Sequence, residues 1–301
     1  MPVIDESAML VHNGQGHRFT QGQNEFFQDW TISDAKKLFE TGLSDAQNIE
    51  PCKSAQNMEA IIPDSFDWRD ENPSCQHEAP RRVADDCSGS SYILATLSAA
   101  EDRICKQGKK EPVRLSSQEL VDCDKNSSCS RGTVNKVLSW GKRKGFLPET
   151  CFPTTGAANE CPDEHLTENE CRAGNNFYKV VDFCFAQEID NIKKEIMTNG
   201  PVLGQISPYT DMLTYSGGVY SRTNEAFKFQ GNHIFKVLGW ETSPEAGSIW
   251  IVENTWGADW GENGYAKIAS SGETTLDFYA ISFAIYPKTM AEYYEEQKVY
   301  S

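Results

Sequence analysis

The sequence predicts an α+β fold with helices in the first half of the chain and strands in the second. Two patterns carry that expectation. Between Ser91 and Lys106, the residues Ile93, Leu94, Leu97, Ala100 and Ile104 recur at the spacing that buries one face of a helix. Far downstream, Ile234–Trp240 and Ser248–Val252 are apolar runs bounded by turn residues, the mark of buried strands. No internal repeat or low-complexity tract competes with this reading.

The other elements follow in chain order. From Phe26 to Leu43, the residues Phe26, Phe27, Trp30, Ile32, Ala35, Leu38 and Phe39 stand at loosely helical spacing, which by itself predicts an N-terminal helix. Gln118–Val121 and Thr133–Lys144 read as shorter helices. The stretch 145–175 holds three cysteines with prolines and glycines, and is expected to be stapled rather than packed. The tail 289–301 is polar with three tyrosines; it is either disordered or docks on a partner.

Composition narrows the class. The 301 residues allow one or two packed domains, and 39% hydrophobic residues is ordinary for a soluble globule. No run reaches the ~20 apolar residues that a membrane span needs. A net charge of −16 argues against nucleic acid, whose phosphates call for Lys and Arg. The acidity is read as solubility, with a cationic partner left open. Ten cysteines, an even number, suggest a disulfide framework of the extracellular or lumenal kind. Pro2 to Ser7, however, shows neither the basic start nor the apolar core of a signal peptide. Either the numbering begins after a removed signal, or the protein is cytoplasmic with a secretory ancestry. No two closely spaced ligand pairs suggest zinc, and neither a metal nor another cofactor is expected. Asn126-Ser127-Ser128 is a glycosylation sequon, meaningful only in a secreted chain.

Several motifs then occur in one order. Asp67-Trp68-Arg69 comes first. Cys87-Ser88-Gly89-Ser90-Ser91-Tyr92 follows, directly before the helical run. Next come Leu115-Ser116-Ser117-Gln118-Glu119-Leu120-Val121-Asp122-Cys123, Asn199-Gly200-Pro201-Val202 and Ser216-Gly217-Gly218-Val219-Tyr220. Gly231-Asn232-His233, Asn254-Thr255-Trp256-Gly257 and Trp260-Gly261-Glu262-Asn263-Gly264-Tyr265 complete the series. Any one of these is weak. Together, in this order, they resemble the papain family of cysteine proteases, the cathepsin B branch most of all, whose signature is C-G-[SA]-C-[WY] with His and Asn far downstream. The resemblance implies two lobes with a cleft between them: a helical lobe over 63–175 and a sheet-rich, β-barrel-like lobe over 176–288. It implies that 1–62 is a propeptide-like segment, expected to cover the cleft for as long as it stays. It also implies the disulfides Cys75–Cys105, Cys87–Cys129 and Cys123–Cys161. Cys151–Cys171 is a guess, and Cys52 and Cys184 find no obvious partner.

The departures from the family pattern fall on the site. Anchoring on Asp102-Arg103-Ile104-Cys105 puts Ser91 at the nucleophile position and Asp85 where the family keeps an oxyanion-hole glutamine. Anchoring on Cys87 instead gives Ser90 and Ala84. The helix anchor is preferred, and neither register supplies a thiol or a glutamine. The family's thiolate is favoured by a helix N-terminus and an imidazolium, whereas a serine needs a base during attack and a hole for the oxyanion. An ionised aspartate donates nothing to an oxyanion, and losing one such donor costs on the order of 10²–10³ in rate. His233 and Asn254 match the family's base and its orienting partner, as a working pair or as a relic kept for packing. The groove's C-x-G-G reads Cys129-Ser130-Arg131-Gly132, so Arg131 puts a bulky charge beside Gly132 where a bare backbone is expected. Trp256 is a candidate groove residue, although it and Trp260 read first as core aromatics. Only His165 lies where the cathepsin B branch carries a His-His pair, so no carboxydipeptidase activity is carried over.

The combination resembles serine-substituted, inactive members such as the tubulointerstitial nephritis antigen group. It implies a non-catalytic protein that binds protein partners or has a structural role. The alternative is a peptidase using Ser91 with His233 and Asn254. An engineered Cys-to-Ser trap would leave the glutamine and the glycine pair alone, so the several departures argue for natural change. The sequence leaves the oligomeric state open.

Overall fold

The computed structural model describes residues 1–39, 41–42, 49–53, 59–107, 112–130, 132–162, 177–245, 247–270 and 279–288. Its N-terminal segment is built from short pieces: α1 (Glu6–Gly14), β1 (Phe19–Gln21), a 3-10 turn at Glu25–Phe27, α2 (Ile32–Ala35), a second 3-10 turn at Lys36–Phe39, and β2 (Thr41–Gly42). The single helix suggested by the spacing over Phe26–Leu43 is therefore broken. Local capping explains the breaks. The Asn24 side chain accepts from the Phe27 amide and starts the first turn. Thr31 and Asp34 then form a reciprocal capping box that starts α2 afresh. The apolar residues serve burial all the same: Phe26, Phe27, Leu38 and Phe39 are enclosed.

The helical part follows. It comprises α3 (Trp68–Glu71) after the short strand β3 (Ser65–Asp67), then α4 (Ser91–Lys106), α5 (Ser117–Cys123), β4 (Gly132–Thr133) and α6 (Val134–Arg143). Helix α4 has the bounds expected from its periodicity, but it is buried on every side from Ser91 to Cys105. Its polar residues are enclosed because partners from distant segments meet them. The Arg103 guanidinium donates to the carbonyls of Gly200, Pro201 and Phe283 and to Ser282 Oγ. Glu101 pairs with Arg81, His77 and Arg114. Burial pushes the Glu101 carboxyl up, yet Arg81, with His77 and Arg114, outweighs it and holds the group at about 2.

The second half supplies β5 (Phe177–Gln187), α7 (Ile189–Asn199), β6 (Val202–Ile206), β7 (Tyr215–Tyr220), β8 (His233–Ser243), β9 (Gly247–Glu253), β10 (Tyr265–Ala269) and β11 (Tyr279–Lys288). Among the described residues nine strands form one sheet in the order β1-β7-β10-β9-β8-β6-β11-β5, with β3 added to β8, and β2 and β4 form a separate pair. In the large sheet, neighbours are antiparallel except β10 and β7. The sheet is open, where a barrel-like closure was expected. Strand β3 can lie on β8 because Gly239 is bare: a Cβ there would stand 1.9 Å from the Phe66 carbonyl oxygen.

The disulfides Cys75–Cys105, Cys87–Cys129 and Cys123–Cys161 form as expected. Cys151 is disulfide-bonded, while Cys171, its expected partner, lies outside the described residues. Cys52 and Cys184, left unpaired by sequence reasoning, join each other and so fasten the N-terminal segment to β5.

Candidate active-site cleft

Three segments bring the site together. The first is the turn before α4. Residues Asp85–Ser90 wind as a 3-10 turn interrupted at Cys87, whose backbone (φ −132°, ψ 37°) is not helical. The Cys87–Cys129 disulfide fixes this turn, and the Gly89 amide donates to the Cys129 carbonyl at 2.8 Å. A Cβ on Gly89 would sit 2.5 Å from that same oxygen, which accounts for the glycine. Ser90 Oγ donates to the Cys87 carbonyl at 2.7 Å. Ser91 is the first residue of α4, fully buried, and its Oγ has no hydrogen-bond partner.

The second segment is the strand beside the turn. Gly132 opens β4, and the Tyr92 ring fills the place of its missing side chain, 2.2 Å from where a Cβ would lie. Tyr92 Oη accepts from the Ser128 amide at 2.9 Å and donates to the Ser128 carbonyl at 3.1 Å. Arg131 and His165 lie outside the described residues.

The third segment is formed by the ends of two central strands of the sheet. His233 begins β8 and Asn254 directly follows β9, and the ring Nε2 lies 2.8 Å from Asn254 Oδ1. That oxygen also accepts from the Thr255 amide at 2.7 Å. Because an amide oxygen only accepts, the neutral ring carries its proton on Nε2 and leaves Nδ1 bare. Nδ1 is buried without a hydrogen-bond partner, as is Ser91 Oγ, so no bond joins the two. Burial pulls the His233 pKa down to about 4, against a small upward effect of the Asn254 bond, and the ring is neutral near pH 7. Behind the pair, between α4 and the sheet, Lys236 Nζ lies 2.8 Å from Asp102 and 2.7 Å from Glu253. Burial, with Glu253 nearby, raises the Asp102 carboxyl to about 6 even though Lys236 opposes the shift.

The N-terminal segment fills the space between these walls. Phe39 stands edge-on to the His233 ring at 5.8 Å, and the Asn232 amide donates to the Phe39 carbonyl at 2.9 Å. Strand β2 then runs parallel to β4, Thr41 opposite Gly132 and Gly42 opposite Thr133. Trp256, fully buried, lies 4.7 Å from the His233 ring and is surrounded by Phe26 at 5.9 Å, Phe27 at 5.0 Å and Phe39 at 6.2 Å. Sequence reasoning included Phe26, Phe27 and Phe39 in an apolar pattern but gave them no target. Their partner is an aromatic two hundred residues away, and no local signal marks it.

A helix N-terminus set beside central strand ends that carry a paired histidine and asparagine is the arrangement of a papain-like protein. The chain belongs to the papain family of cysteine proteases, whose family model matches residues 62–283. It is 31% identical over 212 residues to a cathepsin B-like protein of Giardia intestinalis, covering 68% of this chain and 69% of the relative. It is 26% identical over 309 residues to the human tubulointerstitial nephritis antigen-like protein, covering 88% of this chain and 64% of that one. Among solved structures, a procathepsin B from Trypanosoma congolense superposes with a TM-score of 0.80 at 22% identity, over 96% of this chain and 100% of that one; the likeness is one of fold.

Proposed function

We propose that this chain is a non-catalytic member of its family, with Ser91 standing at the nucleophile position and the protein acting by binding a protein partner or as a structural component. The observation that carries the reading is the N-terminus of α4. The residue there is a serine, its Oγ is not bonded to His233, and no described cysteine is free to serve as a thiolate. A hydroxyl needs a base poised near working pH, and with the N-terminal segment in place burial holds His233 at about 4, where it is a weak one. Asp85 at the oxyanion-hole position supplies no side-chain amide donor, and the sequence puts the bulky, charged Arg131 beside Gly132 where the family keeps a second glycine. The likeness to a human protein named tubulointerstitial nephritis antigen-like supports the reading; the likeness to a protein named cathepsin B-like supports the family alone. Four disulfides fit an extracellular or lysosomal compartment. No helix among the described residues is long and apolar enough to cross a membrane.

The second reading, a peptidase using Ser91, rests on the intact His233–Asn254 pair with its bare Nδ1. Peptide hydrolysis separates the two. The native chain, Ser91→Cys, and Ser91→Cys with Asp85→Gln are each assayed whole and with residues 1–62 removed, the truncated forms also carrying Cys184→Ser to avoid a stray thiol. A silent native chain beside an active double variant is the expected result. Native activity abolished by His233→Ala would overturn the non-catalytic reading.

A further inference from the structure

The N-terminal segment is held by more than packing. The Cys52–Cys184 disulfide joins it to β5 across 132 positions of sequence. The backbone pairs on both sides of that bond. The Cys52 amide donates to the Phe185 carbonyl at 3.0 Å, and the Phe185 amide donates to the Glu50 carbonyl at 2.9 Å. Everything that fills the cleft, from Phe26 to β2, lies upstream of Cys52. Among the described residues, an exposed stretch outside any helix or strand lies downstream of it: Ile61 is 94% exposed, and Glu59 and Pro63 are exposed on either side. A cut at this point therefore divides the backbone without freeing the plug.

We propose that the cleft opens only when two events coincide, peptide-bond cleavage within Glu59–Ile62 and reduction of Cys52–Cys184. The inference rests on the segment closing the cleft and is independent of whether Ser91 acts in catalysis. After cleavage alone, the tether keeps the plug at an effective concentration in the mM range, so it returns to the cleft faster than a free competitor arrives. The reduction is a thiol–disulfide exchange with a dithiol donor. Two electrons and two protons pass to Cys52 and Cys184, giving two thiols, and the donor's two thiols close into a disulfide. The Glu195 carboxylate lies within 4.8 Å of both sulfurs. The Arg103 guanidinium, linked to Glu195 through Ser282 Oγ, offsets part of the carboxylate's charge. The carboxylate beside the sulfurs still disfavours the approach of a thiolate and the thiolate that must leave, which slows the exchange. Glu195 is buried and accepts from Asn199 Nδ2 and Ser282 Oγ, both at 2.7 Å, so it is fixed in place.

The test uses the full oxidised chain. Thermolysin, which cuts before apolar residues, nicks the protein, and mass spectrometry maps the cut. The nicked protein is run on gels and by size exclusion with and without dithiothreitol. Carbethoxylation of His233, read by peptide mapping, reports access to the cleft. The expected result is a cut within Glu59–Ile62, one species without reductant and two with it. His233 labelling should rise at least tenfold only in the nicked and reduced sample. The pair Cys52→Ser with Cys184→Ser should release the fragment after nicking without reductant, and Glu195→Gln should speed reduction several-fold. Release of the plug by nicking alone, a first cut upstream of Cys52, or His233 labelling in the uncut reduced chain would each overturn the proposal. So would a nicked double-serine variant that holds its fragment. Should that variant fail to fold, the reductant series on the native chain decides by itself. Peptide hydrolysis by the opened protein would count against the non-catalytic reading and leave the tether standing.

Discussion

His233 gives the cleft a pH dependence whose sign is fixed by its burial. The folded ring titrates at about 4, against 6.5 for a free imidazole. As the pH falls below 6.5 the unfolded chain takes up the proton first, so this group's contribution to stability is complete above that pH and shrinks down to about 4. Asp102 works the other way: raised to about 6, it favours the folded state at low pH and loses that advantage between 3.8 and 6. The two partly cancel in the native protein, so the histidine is best read as a difference. The stability of the native chain relative to His233→Gln is expected to fall by roughly 2–4 kcal/mol between pH 7.5 and pH 4, measured by urea unfolding at each pH. A pH-independent difference would show that the ring is not buried as described. Gly89→Ala should be costly at any pH, because its Cβ meets a backbone oxygen held by a disulfide and neither can retreat. At this scale the motifs were informative: the meeting of His233 with Asn254 could be expected from them. The missing bond between Ser91 and His233 could not, since it depends on the placement of single atoms.

Helix α4 shows where periodicity stops being informative. Ile93, Leu94, Leu97, Ala100 and Ile104 marked the helix and one buried face. Ser98, Glu101, Asp102 and Arg103 stand outside that apolar pattern, yet they are enclosed too. Their partners, Lys236, Glu253, Arg81 and the carbonyls of Gly200, Pro201 and Phe283, come from segments far away in sequence, and a local pattern holds no trace of them. Arg103→Met is expected to lower stability by roughly 3–5 kcal/mol, since it strands three buried carbonyls at about 1–3 kcal/mol each with some relaxation. A loss within 1 kcal/mol in chemical denaturation would mean that water reaches those carbonyls. The N-terminal segment misled in the opposite way. Its spacing suggested one helix, but the Thr31–Asp34 capping box interrupts it, and the pattern served an aromatic cluster around Trp256 instead. Phe39→Ala should raise the reactivity of His233 toward carbethoxylation and cost roughly 3–5 kcal/mol, because the ring is fully buried and its loss leaves a cavity.

Over the whole molecule, three disulfides could be carried over by resemblance because they lie within the part that the family shares. Cys52 sits in the N-terminal segment, outside the matched range of 62–283, and its pairing with Cys184 became visible only in three dimensions. Closing so long a loop would by chain entropy contribute about 4–5 kcal/mol. The three other described disulfides lie inside the loop and shorten it, so the pair Cys52→Ser with Cys184→Ser is expected to lose roughly 2–4 kcal/mol, read from the shift in thermal or urea midpoint. Strand β1 adds a different consequence. It is the last strand of the sheet on that side, three residues long, and it covers the outer edge of β7. Taking the segment away would do more than bare a cleft. It would leave a row of unpaired amides and carbonyls along β7, the kind of edge on which sheets of separate molecules join. A stripped protein should therefore self-associate as its concentration rises, in which case the segment would also serve the solubility of the chain.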